Sequence, residues 1–134
     1  MLKRFASITV AALVIALGSA TSSQAANGVC GNQELCLYKN NNWSGGLYDF
    51  FATVSDDSYV GNSFFGGGPT VNNNASSSSN NDGAWSVTVH NGAFQTGAGL
   101  PHRPAGSGCL SGICPAYATL GIHHSDKFTS HGPY

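Results

Sequence analysis

The sequence predicts an all-β fold, a sandwich or barrel made of a single domain. Three observations lead there. Of 134 residues only 8% are Asp, Glu, Lys or Arg, against roughly 25% in an ordinary soluble domain. Glycine supplies 18 residues, and Asn and Ser share its turn-forming role. Beyond the first 25 residues no stretch repeats apolar side chains at i, i+3, i+4 and i+7 over three turns, which removes coiled coils and helical bundles.

The first element is an address. Lys3 and Arg4 precede the apolar run Ile8–Leu17, and Ser23-Gln24-Ala25 supplies small residues where a signal peptidase reads. A spanning helix needs about 20 apolar residues, so this run is short for an anchor. Residues 1–25 are expected to be a cleaved leader, with the cut after Ala25 or Ala26, and 26–134 a secreted domain without a membrane role. That domain carries three basic residues (Lys39, Arg103, Lys127) against six acidic ones (Glu34, Asp49, Asp56, Asp57, Asp82, Asp126), a net charge of −3. Such a surface has no electrostatic pull on nucleic acid or anionic lipid.

Strand signals follow in order. Leu35–Tyr38 and Leu47–Phe51 are apolar runs divided by a polar loop that holds Trp43. Ser86–His90 alternates with period two, and Asn91-Gly92 behind it is a strong hairpin signal. Ala116–Leu120 is a later strand candidate, ended by Gly121. Between the halves, residues 66–82 run from Gly66-Gly67-Gly68-Pro69 into an Asn/Ser-rich tract. With almost nothing apolar to bury, this insertion is expected to be a mobile, solvated connection.

The four cysteines form two close pairs, Cys30-x5-Cys36 and Cys109-x4-Cys114. Three pairings are open, and in an oxidising compartment the short spacings favour two local rings. Each ring contributes roughly 2 kcal/mol by loop-closure entropy, so it fixes local shape more than the fold. A zinc site is disfavoured, because metal knuckles prefer C-x2-C spacing.

Tyr38-x4-Trp43-x-Gly45 resembles the aromatic corner of the βγ-crystallin Greek key. The two cysteine spacings, with the run Cys114-Pro115-Ala116-Tyr117-Ala118-Thr119-Leu120-Gly121, are similar to actinomycete metalloproteinase inhibitors of the βγ-crystallin type, peptidase inhibitor family I36. The resemblance covers most of the mature chain and is strongest at the cysteines and Tyr117–Gly121. It implies a single-domain βγ-crystallin-like Greek-key sandwich with two disulfides. It also implies a reactive bond behind the first cysteine of the second pair, here Cys109-Leu110, offered to an extracellular, thermolysin-like zinc metalloprotease. Such enzymes cleave before a large apolar residue, and Leu110 is one, on a Gly-rich approach that should face solvent. Ser111, Gly112 and Ile113 complete the binding loop. The chain departs from the family in its longer separation between the cysteine pairs and in Ser111-Gly112, smaller and more flexible than the family's Arg-bearing ring.

Calcium-binding βγ-crystallins carry [ND]-[ND]-x-x-[ST]-S. Asn81-Asp82-Gly83-Ala84-Trp85-Ser86 has that frame with Trp85 in a hydroxyl position, so Trp85 is expected in the core and Asp82 in a turn. Calcium needs six to eight oxygens, so the lost ligand weakens the site. His123, His124, Asp126 and His131 cluster near the end, where a solvated terminus is expected. The chain holds no G-x-S-x-G, H-E-x-x-H or phosphate-binding glycine loop. The reading is therefore a secreted, monomeric protease inhibitor without metal or cofactor. The alternative is an antifungal or cell-wall-directed, killer-toxin-like binding module that uses Trp43, Tyr48, Phe64 and Phe65.

Overall fold

The computed structural model describes residues 27–124 and 126–134, so the expected leader and its cleavage point lie outside the described residues. Seven strands follow in chain order: β1 (Glu34–Asn40), β2 (Ser44–Phe51), β3 (Ser77–Asn80), β4 (Val87–Gly92), β5 (Thr96–His102), β6 (Ala116–Tyr117) and β7 (Ser130–Pro133). One helical turn, α1 (Gly121–His124), precedes β7. The strands form two antiparallel sheets, β2-β1-β3-β6 and β5-β4-β7.

The sheets are two copies of one Greek-key plan. In each, a central strand (β1, β4) is flanked by its hairpin partner (β2, β5) and by a returning strand (β3, β7). The third segment of each copy crosses to the other sheet: Asp56 bridges to His131 of β7, and β6 pairs with β3. The hairpin loops match residue for residue. Asn42, Trp43 and Gly45 have φ of 56°, 52° and 80°, and Phe94, Gln95 and Gly97 have 54°, 53° and 74°. A buried serine closes each loop. Ser77 Oγ accepts from Trp43 N–H at 3.0 Å and donates to the Asn40 carbonyl at 2.6 Å. Ser130 Oγ accepts from Gln95 N–H at 3.0 Å and donates to the Gly92 carbonyl at 2.6 Å. Gly45 is required, because a Cβ there would sit 2.7 Å from Asn40 Nδ2 in a backbone region L side chains avoid.

Between the sheets lies one core: Leu35, Leu37, Phe50, Ala52, Tyr59, Phe64, Val71, Ala75, Val87, Val89, Leu120 and Phe128. Phe50 stacks on Tyr59 with ring centroids 5.1 Å apart and meets His131 at 4.4 Å.

Several elements differ from the sequence reading. The Asn/Ser-rich tract does not run wholly as a solvated connection: Ser77–Asn80 is a fully buried inner strand between β1 and β6. Polar side chains are tolerated there because partners inside the fold satisfy them: Ser77 as above, Ser78 by His102, and Asn80 by the Trp85 and Arg103 carbonyls. The tail is not solvated either, since Ser130 and His131 are buried in β7. The β4–β5 turn falls just beyond Asn91-Gly92, which still belong to β4, because Phe94 and Gln95 take the left-handed positions. Trp85 is 51% exposed rather than in the core, whereas buried Asp82 does form the turn, its carboxylate accepting from Ala84 and Trp85 N–H. Among the described residues no helix is long and apolar enough to cross a membrane.

Candidate functional site: a disulfide-closed hairpin

The repeat itself points to the site. Gly45 and Gly97 are equivalent and 52 positions apart. Just past the segments that cross to the other sheet the equivalents are Asp57 and Ala118, 61 positions apart, whose carbonyls accept from Phe94 and Asn42 N–H respectively. The second copy therefore carries nine extra residues between β5 and β6, the difference of those two offsets. They build a projecting ring that the scaffold's own plan does not contain.

Its cysteines are joined, Cys109 to Cys114, as Cys30 is to Cys36. Inside the ring Leu110 N–H donates to the Ile113 carbonyl at 2.8 Å and Ile113 N–H to the Leu110 carbonyl at 2.9 Å. Ser111 (φ 51°) and Gly112 (φ 80°) occupy the central positions. Two consecutive positive φ values between a doubly bonded pair make a type I′ turn, the preferred closure of a two-residue hairpin. Backbone hydrogen bonds and the disulfide thus bracket Ser111-Gly112, the pair expected to be flexible, on both sides. Leu110 is 63% exposed, and Ser111 and Gly112 are exposed beside it. An apolar side chain is held out into solvent by a ring too small to fold it inward.

Below the ring stands Tyr117. Its hydroxyl donates to the Pro101 carbonyl at 2.9 Å and accepts from Cys114 N–H at 2.9 Å. Its ring meets His102 edge-on, centroids 5.0 Å apart. His102 is fully buried: Nδ1–H donates to the Leu100 carbonyl at 3.1 Å, leaving Nε2 to accept from Ser78 Oγ at 2.7 Å. Burial holds the His102 pKa down to about 4, so at neutral pH it is an uncharged strut. A continuous path runs from the inner strand β3 through His102 and Tyr117 to the base of the ring. Arg103 N–H donates to the Cys114 carbonyl at 3.1 Å and ties the ring to the end of β5.

The other candidates are placed differently. Of the aromatics in the alternative reading, Trp43 (47%) and Phe65 (60%) are exposed, Tyr48 is half-buried, and Phe64 is a core residue beside the Ser63–Thr70 bridge. The side chain of His123 lies outside the described residues. His131 is fully buried, with Nδ1 3.0 Å from the Tyr59 hydroxyl, and it packs within the fold instead of meeting Asp126 in a solvated cluster. Among the described residues no group of three or more His, Cys, Asp or Glu gathers as metal ligands.

Sequence reasoning misses one constellation. The frame [ND]-[ND]-x-x-[ST]-S also falls at Asn72–Ser77, hidden inside the low-complexity tract, and its counterpart in the second copy runs from Asp126 to Ser130. Asn73 (φ 59°) and Asp126 (φ 55°) are equivalent. Ser76 Oγ donates to Asp126 Oδ1 at 3.3 Å, and Thr129 Oγ1 donates to Asn73 Oδ1 at 3.4 Å. Asn73 N–H bonds the Phe128 carbonyl and Asp126 N–H the Ala75 carbonyl, both at 2.9 Å. These reciprocal bonds lace the two copies together.

Comparisons with known proteins agree with this architecture. The sequence profile of peptidase inhibitor family I36 matches residues 23–99, a stretch that ends before the Cys109–Cys114 ring. No curated protein matches the sequence. Among solved structures, one from work on the evolution of the eye lens βγ-crystallin domain fold is similar at a TM-score of 0.58 and 16% identity, over 80% of this chain and 93% of that one. A βγ-crystallin from Ciona intestinalis gives a TM-score of 0.54 and 14% identity, over 75% of this chain and 99% of that one. A βγ-crystallin domain from Clostridium beijerinckii gives 0.53 and 17%, over 75% and 97%.

Proposed function

The chain belongs to peptidase inhibitor family I36, and from that premise we propose that it is a secreted inhibitor of thermolysin-like zinc metalloproteases, presenting its Cys109–Leu110 bond in a substrate-like pose. The observation that carries this reading is Leu110: a solvent-facing leucine on a disulfide-closed type I′ hairpin that the Greek-key repeat does not need. Enzymes of this class cleave on the amino side of a large apolar residue. Leu110 would fill the primed-side pocket and the Cys109 carbonyl would face the enzyme's zinc.

On this reading the ring favours inhibition over digestion. A loop already held in its bound shape avoids much of the ordering cost of association. Hydrolysis breaks the Cys109 C–Leu110 N bond and consumes one water, leaving a carboxylate on Cys109 and an amine on Leu110. The Cys109–Cys114 bridge keeps both ends attached, so resynthesis, which returns the water, competes with release. Leu110 is the anchor, with Ser111, Gly112 and Ile113 as its neighbours in the groove.

The test is one incubation of the purified mature protein with a thermolysin-like protease, following activity and intact mass together, with and without reductant. Loss of activity with reversible hydrolysis at Cys109–Leu110 supports the reading. Leu110→Gly should weaken inhibition by about a hundredfold, the scale of a lost central anchor, with an unchanged melting temperature. Full inhibition by that folded variant would remove Leu110 from this role.

A further inference from the structure

We infer that Arg103 is a positioning residue of the inhibitory hairpin, one that holds the acyl half of the Cys109–Leu110 bond in register before and after cleavage. The inference rests on the inhibitor reading above and adds to it a residue that lies outside the ring.

The two halves of that bond are restrained very unequally by the ring itself. On the amine side Leu110 N–H is bonded to the Ile113 carbonyl, and the chain reaches Cys114 through a tight turn whose base Tyr117 holds. On the acyl side the approach Pro104–Gly108 belongs to no strand. It contains two left-handed glycines, Gly106 (φ 77°) and Gly108 (φ 67°), and its last three residues are exposed. Glycines leave a chain with the most conformational freedom to lose. Ala105 N–H on the Asp82 carbonyl at 2.6 Å, and Ser107 N–H and Oγ on the Pro104 carbonyl at 3.2 and 2.6 Å, fix its start. Something must still hold its end if the bond is to be presented in one shape.

Arg103 does so at its last two carbonyls. One guanidinium nitrogen donates to the Ser107 carbonyl at 3.1 Å and to the Gly108 carbonyl at 2.8 Å. Gly108 directly precedes Cys109. The backbone of the same arginine is fixed on both sides: its N–H bonds the Cys114 carbonyl, and its carbonyl accepts from buried Asn80 Nδ2 at 3.1 Å. Arg103 thus brackets the ring, with its main chain on the trailing cysteine and its side chain on the residues leading to the first. Among the described residues it is the one charged side chain hydrogen-bonded to this approach. Charge-assisted hydrogen bonds are stronger than neutral ones.

After hydrolysis this matters more. The new Cys109 carboxylate is one residue from the carbonyl that Arg103 grips. Without that grip the acyl end is tethered by its sulfur and, through Gly108, by the Ser107 turn back to Pro104, and its encounters with the Leu110 amine become rarer. The positive guanidinium also attracts the negative charge that hydrolysis creates, and a neutral side chain does not.

The experiment compares wild type with Arg103→Gln, Arg103→Lys and Leu110→Gly against one thermolysin-like protease, reading three quantities. These are the inhibition constant, the cut-to-intact ratio at long incubation by intact mass, and the melting temperature. The expected result for Arg103→Gln is an inhibition constant raised by about tenfold and a ratio shifted by a similar factor toward the cut form, with melting unchanged. Arg103→Lys, which keeps the charge and one of the two contacts, should recover part of both. An unchanged ratio and inhibition constant in folded Arg103→Gln would overturn the inference, as would a loss of inhibition that merely follows a loss of melting temperature. If Leu110→Gly also inhibits like wild type, the inhibitor reading fails and this inference falls with it; if only the Leu110 variant is impaired, the reading stands and Arg103 loses its role.

Discussion

Ser77 and Ser130 each tie a hairpin loop to the end of its first strand through a buried hydroxyl that accepts one bond and donates another. Replacing either by alanine leaves a main-chain donor and acceptor without their partner, a loss of about 2 kcal/mol for buried groups. Ser77→Ala and Ser130→Ala should therefore each lower stability by about that amount in urea unfolding. They share no partner, so the double variant should come close to the sum. Strongly unequal losses would contradict the equivalence of the two copies. Only the pattern of hydrogen bonds across the repeat gives two buried serines among many so particular a task.

At the scale of elements, scaffold and ring are separable. The β-sheets close on their own core, whereas the nine-residue excursion is held by one disulfide, one tight turn, Tyr117, Arg103 and the short bonds of Ala105 to Asp82 and Ser107 to Pro104. Replacing Cys109 and Cys114 together by serine should cost about 2 kcal/mol or less, as expected for so small a ring, yet abolish lasting inhibition because the cut ends would separate. Circular dichroism and a protease assay on the same sample read both quantities. Inhibition retained by the open ring would mean that the bridge is not what resists digestion.

For the whole molecule, the two buried histidines set the acid limit. Burial holds His102 and His131 down to about 4 from an ordinary 6.5, and half-buried His90 is lowered by the same cause. The folded protein thus binds fewer protons than the unfolded chain between those values. Their contribution is complete above pH 6.5 and is lost as pH falls toward 4, because in that interval the unfolded chain takes up protons that the buried rings refuse. Glu34, raised from 4.5 mainly by burial, works in the opposite sense, so the loss is steepest above the carboxylate range. Urea midpoints should be flat from pH 8 to 7 and drop sharply from 6 to 4.5. A midpoint unchanged across that interval would contradict the burial of these rings. Because His102 supports Tyr117 under the ring, weakening of the hairpin should accompany the same titration.

Much of this was legible in the chain itself. Short alternating runs, turn residues and scarce charge dictate antiparallel strands, since each is a local preference of a few adjacent residues. The spacing of the cysteines favours local rings for the same reason: chain closure over five or six residues is decided nearby. Leu110 in such a ring has nowhere to hide, so its exposure follows too. The tertiary structure alone decided the fate of Ser77–Asn80 and Ser130–His131. Their polar side chains read as solvent-facing, and they become interior because most of their polar atoms find partners inside the fold, several of them 24 to 72 residues away. It alone placed His102 beneath Tyr117 and against Ser78 of β3. No local preference encodes such contacts, because hydrogen bonds between distant segments exist only once the sheets have packed and excluded the water that would otherwise take their place.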